Sequence, residues 1–575
     1  AIAIVISGIN ALTLSPALCS LLLKPADVEH NPKKGLLQKF FFGFNKRYDA
    51  LSDRYAGVLN KIANRRTVTF GALILFSLLT YGGLAVLPTG FIPNDDQGMI
   101  YVNVTTPPGA TVERTRDVMD QVQASLLPLE EVETVSTLAG YSLMTETAGA
   151  SYGMGMVNLV GWGERDRNVN ELIRDYQERT AHIRGADIQF FSPPPVPGFG
   201  NASGFELRMQ DRSGGGLDVM AQVTEDFINE LNSRPELSGV VTNFEPNFPQ
   251  YILNVDHDKA AKLGVSVNEA METLQSYIGS YYSSNFIRFG QMYKVMIQAS
   301  PEFRRTPESL LSMYTKNDRG EMVPYSNFVS LERVYGPEQL TRYNMFTSAL
   351  ITGDAAVGYS SGDAIKAVEE TAEKMLPRGF DIDWSGITRE QIASGNQAVY
   401  IFALCLVFVY LLLSAQYESY FLPLPVILSL PAGIFGSFLF LKLTGLENNI
   451  YAQVSLVMLI GLLGKNAILI IEIAIQNRQK GYSILQSAIN GGVERLRPIL
   501  MTSFAFISGL IPLTIASGAG AIGNRTIGTA AAGGMLIGTI VGVFLIPGLY
   551  VVFETMSEKF KKKEPKKHKT AALPQ

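Results

Sequence analysis

The chain has 575 residues, of which 47% are hydrophobic and 17% are charged. Its 48 basic and 52 acidic side chains give a net charge of −4, which does not indicate a polyanionic partner such as nucleic acid. Single cores rarely grow beyond about 250 to 300 residues, so several domains are expected. The low charged content indicates that part of the chain lies where charge is costly. Two cysteines and four scattered histidines argue against a disulfide framework or a Cys/His metal site.

Seven long apolar runs dominate the hydropathy pattern. A bilayer core about 30 Å thick requires about 20 apolar residues in a helix, and the runs are of about that length or longer. Several contain the Gly and Pro that membrane helices tolerate. The runs lie at residues 1–23 and 67–89 and, for the last five, within residues 391–553. They predict a polytopic α-helical membrane protein with seven transmembrane helices.

Two basic segments indicate the orientation of these helices. Residues 24–66 carry ten Lys or Arg against four Asp or Glu, and the tail at 554–575 is also basic. Positive loops face the cytoplasm, so alternation places the segment between residues 89 and 389 on the other side of the membrane. Within the first basic segment, apolar side chains repeat at steps of three and four from Leu37 to Ile62. This favours an amphipathic helix in the membrane interface, the alternative being a soluble helix packed on a partner.

The segment between the second and third runs has the pattern of an α+β region. Residues 90–191 follow the order βαββαβ, the split βαβ unit. After a Pro- and Gly-rich linker, the same order begins in residues 204–255 and is completed in residues 344–388. Residues 256–343 lie between these halves and are predicted to form an inserted subdomain. Two copies of one unit indicate a repeat architecture rather than an enzyme core.

Lys465 lies near the middle of the fifth run, about 21 Å along its helix. A charge at that depth costs at least about 2.5 to 3.5 kcal/mol, so its side chain is expected to face a bundle interior and to have a counter-ion. Glu472 is the only carboxylate within any of the apolar runs, and it lies about 10 Å away on the same helix, too far for a direct pair. Lys465 is therefore predicted to lack its partner in this sequence, the alternative being a lysine that snorkels to the surface.

Three polar residues accompany this lysine. Asn466 follows it directly and is also poorly suited to lipid. Arg495 and Thr502 lie seven residues apart in the next helix and share one face. A lysine that titrates, an arginine that does not and a hydroxyl that can relay protons form a candidate proton-coupling cluster. The cluster lacks an acid, and Arg495 has the alternative role of an ordinary cytoplasmic anchor.

A set of ordered motifs extends along the whole chain and resembles a known family. The motifs are SPALCSLLLKP, GFIPNDDQGMIYV, GSYYSSNFI, GNQAVYIFALCLVFVYLLLSAQYES, GLLGKNAILIIE, RLRPILMTS and GAGAIGNRTIGT. In this order and spacing they are similar to the carboxyl-terminal half of resistance-nodulation-division (RND) multidrug efflux pumps of the AcrB type. That resemblance implies that the seven helices are the last helix of one six-helix repeat and all six helices of the next.

The resemblance also implies a function. It implies a homotrimeric antiporter in the bacterial inner membrane that exports amphiphilic compounds in exchange for protons, with no cofactor and the proton gradient as its driving force. The two βαββαβ (ferredoxin-like) units would be periplasmic porter subdomains, and the insertion would be a docking subdomain. Partners would be a periplasmic adaptor protein, an outer-membrane channel and membrane lipid.

The site residues implied by the resemblance fall into two groups. Lys465, Arg495 and Thr502 match the family's proton-relay motifs, with Asn466 as an additional candidate. The acidic residues of that relay belong to an N-terminal half that is absent from this sequence.

The second group matches the family's drug pocket. The stretch VSTLAGYSLM is similar to a strand and switch loop where the family places phenylalanines. The candidate pocket residues are Ser136, Tyr141, Leu143 and Met156, of which only Tyr141 retains an aromatic ring. Aromatic and Met side chains suit adaptable hydrophobic binding. An ordinary core role for these residues is the alternative.

Other functions remain open at this point. Met144, Met154 and Met156 leave room for a heavy-metal-exporting relative, because thioethers bind soft Cu(I). A receptor or translocation accessory of similar architecture is a further alternative. An enzyme has little support, since the sequence shows no nucleophile–base constellation, P-loop or HExxH motif.

Overall fold

The computed structural model describes residues 2–22, 36–144, 147–242, 244–395 and 397–561. The chain begins with four helices: α1 (Ile2–Leu12), α2 (Leu14–Leu22), α3 (Leu36–Ala63) and α4 (Arg66–Val86). The first predicted membrane span, residues 1–23, is thus divided into helices of 11 and 9 residues. The basic residues between 23 and 35 and the basic tail beyond residue 561 lie outside the described residues.

The first α/β unit is a four-stranded antiparallel sheet with two helices. Its elements are β1 (Met99–Thr105), α5 (Val112–Leu126), β2 (Val132–Ser142), β3 (Thr147–Leu159), α6 (Val169–Thr180) and β4 (Asp187–Phe191). The strands lie in the order β2-β3-β1-β4, and alternate residues of the sheet pack against the helices. Val102 and Val157 are buried on this face, as the period-2 pattern of a half-buried strand requires. A capping box at Asn168 and Glu171 begins α6.

The second α/β unit repeats this strand order in two separated pieces. The first piece consists of β5 (Phe205–Asp211), α7 (Leu217–Ser233) and β6 (Leu237–Thr242). The second consists of β13 (Thr341–Tyr343), β14 (Phe346–Ala355), α11 (Ser361–Met375), β15 (Phe380–Trp384) and the short α12 (Gly386–Ser394). The order β6-β14-β5-β15 matches that of the first unit, and β13 adds to the start of β14.

The insertion between these pieces has a core of its own. It contains β7 (Phe248–Val255), α8 (His257–Lys262), α9 (Val267–Ile278), β8 (Tyr281–Arg288), β9 (Gln291–Ile297), α10 (Pro307–Leu311), β10 (Tyr314–Lys316), β11 (Met322–Pro324) and β12 (Val329–Gly336). The stem is the antiparallel pair β7 and β12, and Leu253 and Val255 pack into the core of the insertion. The insertion therefore begins at about Phe248 rather than at Asp256 as predicted, because β7 pairs with β12 and not with the second sheet.

The remaining helices form a bundle of apolar elements. They are α13 (Gln397–Tyr417), α14 (Leu424–Leu428), α15 (Leu430–Leu443), α16 (Ile450–Gln479), α17 (Ile484–Thr514) and α18 (Ala521–Lys561). Among the described residues, six helical stretches are long and apolar enough to cross a membrane, with α14 and α15 forming one of them. The apolar stretch Val5–Leu21 is shorter, so the seventh span stays a prediction.

Small residues allow α15 and α18 to approach closely. A Cβ added at Gly436 would lie 2.7 Å from the Gly533 carbonyl oxygen, and one added at Gly534 would lie 3.0 Å from the Gly433 carbonyl oxygen. Close backbone approach through glycines is a usual means of packing helices in a membrane, where apolar burial drives association only weakly. These two helices therefore form a tight pair in the bundle.

Helix α3 packs one edge of its apolar stripe on the bundle. Tyr55 and Leu59 are buried against α17 and α18, whereas Leu51 and Val58 are exposed. The Tyr55 hydroxyl donates a hydrogen bond of 2.7 Å to the Val543 carbonyl oxygen of α18. The predicted interfacial helix thus also has a specific protein contact along its C-terminal half.

Candidate functional site

Helix α16 positions the first group of predicted site residues. The side chain of Asn449 begins the helix by accepting hydrogen bonds from Tyr451 N (3.0 Å) and Ala452 N (3.1 Å). The helix then continues for 30 residues, about 45 Å, which is more than the thickness of a bilayer core. Lys465 lies at its midpoint, the position along the helix that the sequence predicts.

Lys465 lies on an open face of α16. It is exposed, as are Val454 and Gly461, and steps of seven and four residues place all three on one side of the helix. Lys465 makes no ion pair with any described residue. Its expected orientation toward a bundle interior is therefore not met by the helices of this chain, and its counter-ion is not among the described residues.

Asn466 faces the opposite way, into the bundle. Its side chain is 4% exposed, and its amide nitrogen donates to Ser503 Oγ of α17 at 3.2 Å and to Thr539 Oγ1 of α18 at 3.4 Å. Thr539 Oγ1 in turn donates to Ser503 Oγ at 3.0 Å. We call these three residues the Asn466 cluster. Asn466 Oδ1 has no hydrogen-bond partner among the described residues.

The two predicted residues of α17 do not join Lys465 in a hydrogen-bonded group. Thr502 is exposed, and its hydroxyl donates to the Ile499 carbonyl oxygen at 3.1 Å. Arg495 is half-buried, and its Nε atom has no partner among the described residues. Lys465 and Thr502 are exposed, and Arg495 Nε is unpaired among the described residues. No hydrogen bond joins these three side chains in the part of the chain that the structure describes. Their assignment as one relay stays a prediction.

The second predicted group lies on the sheet of the first α/β unit. Ser136 of β2 is directly opposite Met156 of β3, which is opposite Tyr101 of β1, which is opposite Phe191 of β4. These four side chains form a row across the face of the sheet that points away from α5 and α6. The Tyr101 and Phe191 rings meet edge to face with centroids 5.9 Å apart. We call this row the sheet platform.

Tyr141 and Leu143 lie beyond one end of the platform. A register shift between Ala139 and Tyr141 interrupts the pairing of β2 and β3, and Gly140 at this point has φ +96°, a conformation that favours glycine. Tyr141 is about 17 Å along the strand from Ser136 at ~3.3 Å per residue. The structure therefore brings Ser136 and Met156 together. Tyr141 lies near the end of β2, opposite Ala148, and Leu143 lies in the turn that follows.

Sequence analysis missed several members of both groups. Ser503 ends the motif RLRPILMTS but has no chemistry of its own to single it out, and Thr539 belongs to none of the quoted motifs. Tyr101 and Phe191 carry no motif that marks them as site residues. Their alternation with the buried Val102 and Phe190 was the available signal, because alternate residues of a strand point to opposite faces.

The loop before β1 connects the first α/β unit with the bundle. Asp96 accepts a hydrogen bond of 2.6 Å from the Arg165 guanidinium, whose side chain is 2% exposed, and further bonds from Gly98 N and Val169 N. Burial would raise the pKa of Asp96, but these hydrogen bonds outweigh it and hold the pKa below its usual range. The neighbouring Asp95 accepts a hydrogen bond of 3.0 Å from Ile522 N in the first turn of α18.

Long apolar helices joined to a repeated α/β region define a multi-pass membrane protein. The chain belongs to the AcrB/AcrD/AcrF family, whose sequence model matches residues 1–554. It is 39% identical over 578 aligned residues to the toluene efflux pump membrane transporter TtgB of Pseudomonas putida, with 99% of this chain and 54% of the relative covered. It is 37% identical to the multidrug export protein AcrF of Escherichia coli (strain K12), with 96% and 53% covered. The chain thus spans about half the length of these relatives.

Proposed function

We propose that this chain is the C-terminal half of an inner-membrane proton/drug antiporter of the RND superfamily that exports amphiphilic compounds. Membership of the AcrB/AcrD/AcrF family supports this proposal, as do relatives named as multidrug, toluene and solvent efflux pumps. The chain spans about half the length of these relatives, and we infer that in the complete pump an N-terminal half supplies the acidic residues of the relay.

The observation that carries the proposal is the position of Lys465. A lysine at the midpoint of a 30-residue apolar helix is costly in a bilayer unless a carboxylate or water-filled space meets it. It lies on the open face of α16, where a second set of helices can reach it. We infer that carboxylates of the N-terminal half pair with Lys465, and that their protonation weakens the pair and shifts the helices.

The sheet platform supports the substrate class in this proposal. Tyr101 and Met156 present partly exposed aromatic and thioether groups on one face, with the Phe191 ring buried beside Tyr101, and Leu138 adds an exposed apolar side chain. Such groups bind varied apolar ligands without a fixed pattern of hydrogen bonds. In the proposed pump the two α/β units are periplasmic porter subdomains, and the inserted subdomain docks in a homotrimer with an adaptor protein and an outer-membrane channel.

Replacing Lys465 in the complete pump tests the proposal. We expect Lys465→Ala to abolish proton-driven export of a fluorescent dye from proteoliposomes while assembly is retained. Lys465→Arg should fail as well, because the bidentate guanidinium would hold the partner carboxylates in their charged form and oppose their protonation.

Lys442 provides a matched control. It lies in the last turn of α15, where a basic side chain can reach the membrane surface, and Lys442→Ala should leave export near the wild-type rate. Wild-type export and proton flux by Lys465→Ala would contradict the proposed coupling. Loss of assembly in that variant would instead show that Lys465 has a structural role.

A further inference from the structure

The Asn466 cluster adjoins a small cavity inside the bundle. The cavity is lined by Ser429, Leu463, Asn466, Ile470, Gly538, Thr539, Gly542, Val543 and Ile546. The space open to the centre of a water-sized sphere is about 10 Å³. That is about the minimum room that one water molecule requires.

The polar lining of this cavity is incompletely paired. Asn466 uses its amide nitrogen on Ser503 and Thr539, which leaves its oxygen without a partner in the interior. Turning the amide over would exchange the roles, because the oxygen would then accept from the hydroxyls and the NH2 group would be left unpaired. In either orientation one side of a buried amide lacks a hydrogen bond, which is costly in an apolar bundle.

A second polar group lies on the same cavity. The Ser429 hydroxyl donates to the Val426 carbonyl oxygen at 2.7 Å, so its own oxygen remains able to accept another bond. Ser429 is 4% exposed and lies at the junction of α14 and α15. The cavity therefore joins an amide on α16 to a hydroxyl at this junction.

We propose that this cavity is a binding site for one water molecule, held by Asn466 and Ser429. A water molecule can donate to the amide oxygen and to the Ser429 oxygen, which gives it the two or more polar partners that buried waters have. With the Asn466 cluster it connects α16, α17, α18 and the α14–α15 junction. These hydrogen bonds fix the orientation of α16 about its own axis. That orientation directs the preceding residue, Lys465, to the open face.

The two glycines of the cavity wall differ in how they tolerate a methyl group. A Cβ at Gly538 would lie 2.7 Å from Leu463 Cδ2 and 3.1 Å from Gly433 Cα, so alanine there would disturb the helix packing. A Cβ at Gly542 would meet only Ile546 Cδ1, at an ordinary 3.4 Å. Gly542→Ala therefore adds a methyl group at the cavity wall without a backbone clash.

A double-mutant cycle in the complete pump tests the site. Gly542→Ala should lower the unfolding midpoint by about 2 °C, because it displaces the water and leaves the Asn466 amide unpaired. The same substitution combined with Asn466→Leu should cause no such decrease, because no amide remains to be hydrated. An equal effect of Gly542→Ala in both backgrounds would overturn the proposal.

A direct observation does not depend on the stability of any variant. A structure of the unmodified pump, at a resolution that shows other buried waters, should contain one density peak within hydrogen-bond distance of the Asn466 amide and Ser429 Oγ. The peak should be absent in Gly542→Ala. No peak in the unmodified protein would refute the site, whatever the outcome of the cycle.

Discussion

Two consecutive residues of α16 meet opposite environments. Lys465 lies on the open face, and Asn466 is buried in contact with α17 and α18. The step of about 100° between neighbouring helical residues separates them to different sides. The sequence predicted the depth of both residues from the length of the apolar run. It could not predict which side each would face, because the helix has charge at few positions and little amphipathic pattern.

Asp354 is the residue for which we expect the clearest pH dependence. It lies near the end of β14, close to Gly204 and Ser203 of the linker between the α/β units. Burial raises the pKa of Asp354 to about 6, and a hydrogen bond from Ser203 opposes the rise. The folded state therefore binds a proton more tightly than the unfolded chain does. Its contribution to stability decreases as the pH rises from about 4 through about 6.

Asp354→Asn should remove this dependence while retaining an oxygen that accepts from Ser203. At pH 7.5 we expect the variant to be more stable by up to about 3 kcal/mol, and at pH 4 we expect little difference. Unfolding midpoints of the complete pump between pH 4 and 7.5 measure the change. The exposed Asp120 on α5 is the control, since Asp120→Asn should not alter the pH profile. An unchanged profile in Asp354→Asn would contradict the role of this carboxyl.

The elements of the α/β region were more predictable than their pairing. Alternating apolar residues and Gly- or Pro-containing turns placed the strands and helices in order, and the structure has the same βαββαβ order in both units. The alignment of Ser136 with Met156 depends on a register that local patterns do not specify. The boundary at β7 was wrong for a similar reason, since its partner β12 lies some 80 residues later in the sequence.

Helix α3 completes a hydrogen bond that α18 cannot make internally. Pro547 lies inside α18 and has no N–H group, so the Val543 carbonyl four residues earlier lacks its helical donor. The Tyr55 hydroxyl occupies this position at 2.7 Å, and Tyr55 is 5% exposed. The apolar stripe in the sequence predicted the helix but gave no indication of this contact.

Tyr55→Phe should destabilise the contact between α3 and α18. The substitution keeps the packed ring but leaves a buried carbonyl unpaired, which we expect to cost about 1 to 3 kcal/mol. Hydrogen exchange of α3 amides in the complete pump should increase accordingly. Tyr48→Phe, at a half-buried position on the same helix, should have a smaller effect. Equal protection of α3 in both variants would show that the Tyr55 hydroxyl contributes nothing specific.

The helix bundle has a tightly packed side and an open side. Helices α15, α16 and α18 pack closely, whereas α4 and α13 leave most of their surface exposed. The open face of α16 contains Val454, Gly461 and Lys465, and the exposed Thr502 lies on α17. The chain spans about half the length of its relatives, and in the proposed pump we expect helices of an N-terminal half to cover this face.

Gly461 provides a test of that arrangement, since it lies one turn before Lys465 on the open face. In this chain a Cβ at Gly461 would have no neighbour within 4 Å, and the same holds for Gly71 on α4. If helices of an N-terminal half approach Lys465, Gly461→Leu should obstruct them and reduce co-purification of the two halves, expressed as separate chains, by about tenfold, a loss of about 1.4 kcal/mol. Gly71→Leu should leave it unchanged. Equal recovery of both variants would show that the N-terminal half does not pack on this face of α16.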